Sequence, residues 1–192
     1  MTTWQRGHQI AVAAREKAVG LRGDFVADLG RRTPPLPRQP GTAVYLNRGG
    51  STTPLSMRAN VDRIHVLQEH VIIISVETPP VPRVPDAERI TVDDIGDRDD
   101  GIFYVVARFG YMEQPDVPTA LRLVDPNQTE GPVDLEHASY FMSEINLCAG
   151  PEPTMAQWRK RLFIAISRMT SDAEYFGLPL DRTVIIGARI EI

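Results

Sequence analysis

The chain has 192 residues, 42% of them hydrophobic and 24% charged, the balance of one soluble domain with an appendage. Its formal net charge of −4, from 21 basic and 25 acidic side chains, provides no global basic field to recruit nucleic acid. A single cysteine, Cys148, excludes an internal disulfide and argues against a structural zinc centre. No apolar run reaches the roughly 18–20 residues of a membrane helix. Gln5, Arg6, His8 and Arg15 interrupt the opening segment where a signal peptide would be apolar.

Residues 3–30 read as a helix, with Trp4, Ile10, Ala14, Leu21, Phe25 and Leu29 at about helical spacing. Arg6, Arg15, Lys17, Arg22, Arg31 and Arg32 give it a basic side. Such a helix either packs on its own domain or lies beside a membrane with its arginines on anionic head groups. The stretch Arg32 to Gly41 carries Pro34, Pro35, Pro37 and Pro40, which favour an extended spacer over a helix. The expected organisation is a helix at 1–33 packing only loosely, a proline linker at 34–41 and an α/β body at 42–192.

The body is built around His70-Val71-Ile72-Ile73-Ile74-Ser75-Val76-Glu77-Thr78. Its apolar run is continuous, the habit of a central strand covered on both faces of a parallel or mixed sheet. Gly41 to Leu46 is a second apolar strand. Between them Leu55, Val61, Ile64 and Leu67 predict a helix over 54–69. Strand, helix and strand at this length form a crossover unit, right-handed in the great majority of cases.

Asn47, Arg48, Gly49, Gly50, Ser51 and Thr52 join the first strand to that helix. A glycine turn between strand and helix can present free backbone N–H groups to a phosphate. The Walker lysine and the full dinucleotide spacing are missing, so an ordinary capped turn competes with a ligand site.

Beyond the central strand, the Pro79–Pro85 stretch is an extended traverse. Arg89–Ile95 alternates as a strand with one wet face, and Ile102–Tyr111 returns as its antiparallel hairpin partner. Asp93, Asp94, Asp97, Asp99 and Asp100 lack the EF-hand offsets and read as a solvated turn. Asp116 caps a short helix with Pro118 in its first turn. A strand is expected at 138–142, a long helix with a basic middle at 155–175, and a terminal strand at 182–192. That last strand, apolar and edge-exposing, is a candidate for pairing with another chain.

No nucleophile elbow, zinc-binding His-Glu-x-x-His, Cys-x-x-Cys or P-loop is present. His8, His65, His70 and His137 are scattered, each better read as a surface or capping residue than a base. Cys148 has no neighbouring histidine and reads as a small buried hydrophobe. These patterns support ligand binding or partner contact better than catalysis, and no metal centre is expected.

Several segments, in order, resemble the C-terminal cytosolic region of the Kup (KUP/HAK/KT) family of potassium uptake transporters. They are Thr2 to Gly7, Pro40 to Leu46, Val81 to Pro85, Arg108 to Pro118, Ser139 to Ser143, Trp158 to Phe163, Phe176 to Pro179 and Gly187 to Ile192. Members of that family usually carry a His/Asn-rich run in the first crossover helix. This chain keeps Asn60 there but has Ala59, Arg63, Ile64 and Gln68, while Met169 and Ile185 replace residues that are usually polar.

The resemblance implies an α/β domain of universal-stress-like fold, mixed in its sheet, on the cytoplasmic side of the cell membrane. It implies attachment to the membrane half of a potassium–proton symporter, a regulatory and assembly role, and a homodimer. It also raises a regulatory nucleotide, cyclic di-AMP or ATP. A stand-alone nucleotide-binding α/β protein is the competing reading.

Overall fold

The computed structural model describes residues 20–47, 52–94, 100–129, 133–148 and 173–191. Six strands form one sheet in the order β3-β4-β2-β1-β5-β6. They are β1 (Arg38–Asn47), β2 (Leu67–Glu77), β3 (Ile90–Asp94), β4 (Ile102–Arg108), β5 (Ser139–Cys148) and β6 (Thr183–Glu191). All neighbours run parallel except β3, which pairs antiparallel with β4 at one edge. The mixed α/β architecture, its βαβ unit and its hairpin match the sequence expectation.

The two central strands lack a polar face because both faces are covered. Val44, Leu46, Ile72 and Ile74 point to one side, into a core completed by Phe103, Val105, Phe109, Tyr140 and Met142. Ala43, Tyr45, Val71 and Ile73 point to the other, with Met57, Val61, Leu67, Ile102 and Tyr104. Period-two side-chain alternation sends each neighbour to the opposite core.

The connecting helix is shorter than 54–69. The helix α2 (Leu55–Ala59) passes into a π turn at Asn60–Ile64, and His65, at φ 58°, closes it with its N–H on the Asn60 carbonyl. Strand β2 therefore begins at Leu67, three residues before His70. Leu67 is at an apolar spacing that suits the helix, but it is buried from the strand.

Residues 1–19 of the N-terminal helix lie outside the described residues. The described part, α1 (Arg22–Arg31), departs from the loose attachment expected of it. Phe25, Val26 and Leu29 are buried in the core beside Ala43, Tyr45 and Ile73. Nor do its described arginines all await a membrane. The Arg22 guanidinium sits 3.6 Å from the centre of the Tyr104 ring, and Arg32 pairs with Asp28 and Asp62 at 3.7 and 3.8 Å. The proline stretch is short of a free spacer as well: Leu36 packs on the same core and β1 starts at Arg38.

The long helix expected at 155–175 falls largely outside the described residues; 173–176 is a 3-10 turn. Strand β5 runs on to Cys148, well past the expected 142. Cys148 is half-exposed there rather than buried.

Because α1 contributes three side chains to a core, Leu29→Ala should destabilise the chain by about 2–4 kcal/mol. Urea denaturation checks this. A loss below about 1 kcal/mol would restore the loosely attached helix.

Candidate functional site

In an open parallel sheet, ligands bind beyond the carboxyl ends of the strands, where the chain's winding reverses. Here β1 leads to β2 on one side and β5 lies on the other, so the reversal is between β1 and β5. Asn47 is the last residue of β1. The glycine turn singled out from the sequence thus starts at the reversal point. Arg48, Gly49, Gly50 and Ser51 lie outside the described residues.

Asn47 and Thr52, the two ends of that turn, are both buried and joined directly. The Asn47 Nδ2 donates to the Thr52 carbonyl at 2.6 Å. Around them the fold gathers polar groups that the sequence reading missed. Ser75 of β2 is the register partner of Asn47. On the other side Tyr45 pairs with Phe141, and Ser143 stands two residues further along β5, as Asn47 does along β1. The Ser56 N–H donates to the Ser143 Oγ at 2.8 Å, while the buried Ser56 hydroxyl has no partner among the described residues. Thr53 donates through its hydroxyl to the Leu21 carbonyl and through its N–H to Gly20.

Asn47, Thr52, Thr53, Ser56, Ser75 and Ser143 are all buried. Buried hydroxyls and amides ordinarily find partners, and Asn47, Thr53 and Ser143 find theirs in nearby backbone. Ser75 could have been noticed as the one polar residue in an apolar run. Ser143 is brought in only by the strand order.

The retained Asn60 and the departure at Gln68 are joined through Tyr45. Asn60 is buried, and its Nδ2 donates to the Tyr45 Oη at 2.8 Å. Tyr45 in turn reaches the Gln68 Oε1 at 3.4 Å. Burial pushes the Tyr45 phenol up to about 12, so it stays protonated and can donate at neutral pH. Asn60 and Gln68 meet on the face away from Val44.

Among the described residues the histidines do not converge. His70 is the register partner of Thr42 at the start of the apolar part of β2. His137 meets Asp134 at 2.8 Å on the surface. Among the described residues no group of His, Cys, Asp and Glu could hold a metal ion. The Asp100 carboxylate accepts the Ile102 N–H, as a turn residue does.

A second structure stands on the same carboxyl edge, past β2 and β4. The Glu113 carboxylate accepts N–H groups from Gly110 at 2.7 Å and Val84 at 3.0 Å, and meets the Arg89 guanidinium at 2.9 Å. Arg89 also donates to the carbonyls of Val84 and Arg108 and to Asp86. One ion pair thereby ties the proline traverse to the segment after β4.

The chain matches the family model described as K+ potassium transporter C-terminal domain over residues 40–192. It is 60% identical over 193 residues to a probable potassium transport system protein Kup of Rhodococcus jostii strain RHA1. The chain belongs to the potassium transporter C-terminal domain family. Proteins of the same description from Anaeromyxobacter sp. strain Fw109-5 and Pseudomonas aeruginosa strain UCBPP-PA14 are 37% and 34% identical. In each comparison the whole chain aligns, yet it spans only 29% of the relative's length. No solved structure matches, so the universal-stress-type likeness rests on the family resemblance alone.

The Glu113 clasp has a pH signature. Hydrogen bonds from Arg89, Gly110 and Val84 lower the Glu113 carboxyl from its ordinary 4.5 to about 2. A depressed carboxyl stabilises the fold above its unfolded value, and that stability is lost as pH falls through the folded one. Glu113→Gln should therefore flatten the decline in stability between about pH 4.5 and 2, read from denaturant midpoints. An unchanged acid limb would show that the ion pair contributes nothing.

Proposed function

We propose that this chain is a cytosolic regulatory and assembly domain of a Kup-type potassium–proton symporter, itself holding no transport path. One observation carries the reading: the whole chain aligns to the potassium transport proteins while covering 29% of their length. No helix among the described residues is long and apolar enough to cross a membrane. The remaining part of such a protein supplies the ion path, and residues 1–33 form the segment beside the membrane.

Exchange tests it. The Rhodococcus jostii relative, with its matching segment replaced by this chain, should support potassium uptake in cells lacking other importers. The same relative truncated at that junction should lose regulation or assembly. Uptake, regulation and assembly all unaffected by the truncation would overturn the proposal.

The strand ends at Asn47 and Thr52 favour a second reading, a regulatory nucleotide such as cyclic di-AMP or ATP. Its support is that Asn47 and Thr52, which flank the glycine segment, lie at the winding reversal among buried hydroxyls and amides. Gly49, Gly50, Ser51 and Thr52 would offer backbone N–H groups and Arg48 a charge-assisted contact. Calorimetric titration should show micromolar binding of one nucleotide, lost in Gly50→Asp and weakened in Arg48→Ala. Absence of heat for both nucleotides refutes it. Association belongs to the same proposal: β6 is the sheet's edge, with Val184 and Ile185 exposed on it, and a symmetric dimer through that edge is the default. Sedimentation at micromolar concentration, with and without nucleotide, should report a dimer; a monomer under both conditions counts against it.

A further inference from the structure

We propose that the Gly110–Glu113 turn is a docking element that holds this domain against the membrane-embedded part of its own polypeptide. The inference rests on the reading of the chain as one domain of a longer transporter. Tyr111 and Met112 at the tip of the turn are 62% and 68% exposed, and Val81 beside them is 40% exposed. Single exposed apolar residues are ordinary. Three together on a rigid support are not.

The support is extensive. The Tyr111 N–H donates to the Val81 carbonyl at 3.0 Å and the Met112 N–H to that of Pro82 at 3.1 Å. The Glu113 N–H closes the turn on Gly110, and the Glu113 carboxylate accepts the Gly110 N–H from below. At Gly110 a Cβ would fall 2.3 Å from the Pro82 carbonyl oxygen, so the two segments touch as closely as backbones can. Fixing exposed side chains in advance lowers the ordering cost of binding. Tyrosine and methionine are enriched where proteins meet.

The occupant is indicated by where the chain enters. Leu21 bridges to Thr52, and Thr53 donates to the Gly20 carbonyl, so the polypeptide reaches the domain at the carboxyl end of β1. The turn stands on that same edge, two strands away beyond β4. In the relatives, 71% of the length (100% less 29%) lies outside the matched segment. Gly20 and Leu21 thus sit on the edge that carries the apolar tip.

The test uses the full-length protein with a protease site ahead of residue 1 and a benzoylphenylalanine photoprobe at position 111 or 112. After irradiation and cleavage the two parts should stay linked, several-fold more than with the probe at Leu123, which is 43% exposed beyond the helix at 117–121. With the probe at Val81, a Tyr111→Ser, Met112→Ser variant should lose linkage about ten-fold. Its melting temperature should not change, since both residues are exposed. Clean separation of the parts at both probe positions overturns the proposal. So does a product of doubled mass before cleavage, which assigns the tip to a second copy, or label found on lipid. Uptake that depends on the domain in the exchange experiment, without linkage at 111 or 112, sinks the docking element and leaves the functional reading standing.

Discussion

The whole structure depends on covering both faces of β1 and β2. Val71, Ile73, Ile74, Ala43, Val44 and Tyr45 are completely buried, and burying one side chain of the valine or isoleucine size contributes about 1.5–3 kcal/mol. Neither face can be left open without losing several such contributions. The helices α1 and α2 cover one side, and the segment from Val117 to Leu135 with Ala173 and Leu178 covers the other. Along the apolar stretch from Ala43 to Leu46 the side-chain polar group is the Tyr45 hydroxyl, and it is paired with Asn60 and Gln68. Polar chemistry is thereby displaced to the strand ends.

The carboxyl ends handle that displaced polarity in two ways. Beyond β1 and β5 the groups are neutral hydroxyls and amides, with Asn47, Thr53 and Ser143 bonded to nearby backbone. Beyond β2 and β4 a charged pair, Arg89 and Glu113, with side chains only 12% and 17% exposed, holds two loops together. A pair this covered must have its remaining donors and acceptors satisfied, or its desolvation outweighs the attraction. The carbonyls of Val84 and Arg108 and the N–H groups of Gly110 and Val84 meet that requirement. The pair is thus more a fixture for backbone than an isolated ion pair.

What the residues reveal before folding follows the same physics. The strands were legible because a continuous apolar run has few other uses, and β2, β4 and the β3 hairpin sit near their expected places. The helix after β1 was overextended because Leu67 continues the apolar spacing although it is buried from a strand. The packing of α1 was not legible: Phe25, Val26 and Leu29 have helical spacing, but nothing local says which surface they cover, and the prolines after them suggested a break. Asn47 and Thr52 could be picked out by the glycine turn between them. Ser75 and Ser143 join them through strand order alone, and a buried hydroxyl in an apolar segment has no signature until its neighbours are known.

The chemistry of the two edge sites sets different demands on anything they meet. At the ends of β1 and β5 the described buried polar side chains are uncharged, and the nearby Arg58 is paired with Asp62 at 3.4 Å. At the turn after β4 the Glu113 charge is directed inward, onto Arg89 and two N–H groups, and the outward groups include a phenol, a thioether and a valine beside the exposed Arg83 and Gln114. Spending the carboxylate inward is what allows the tip to be apolar: the same Glu113 that could have solvated it is bound beneath it. A surface arranged in that way gains nothing from water, and its gain comes when another apolar surface covers it.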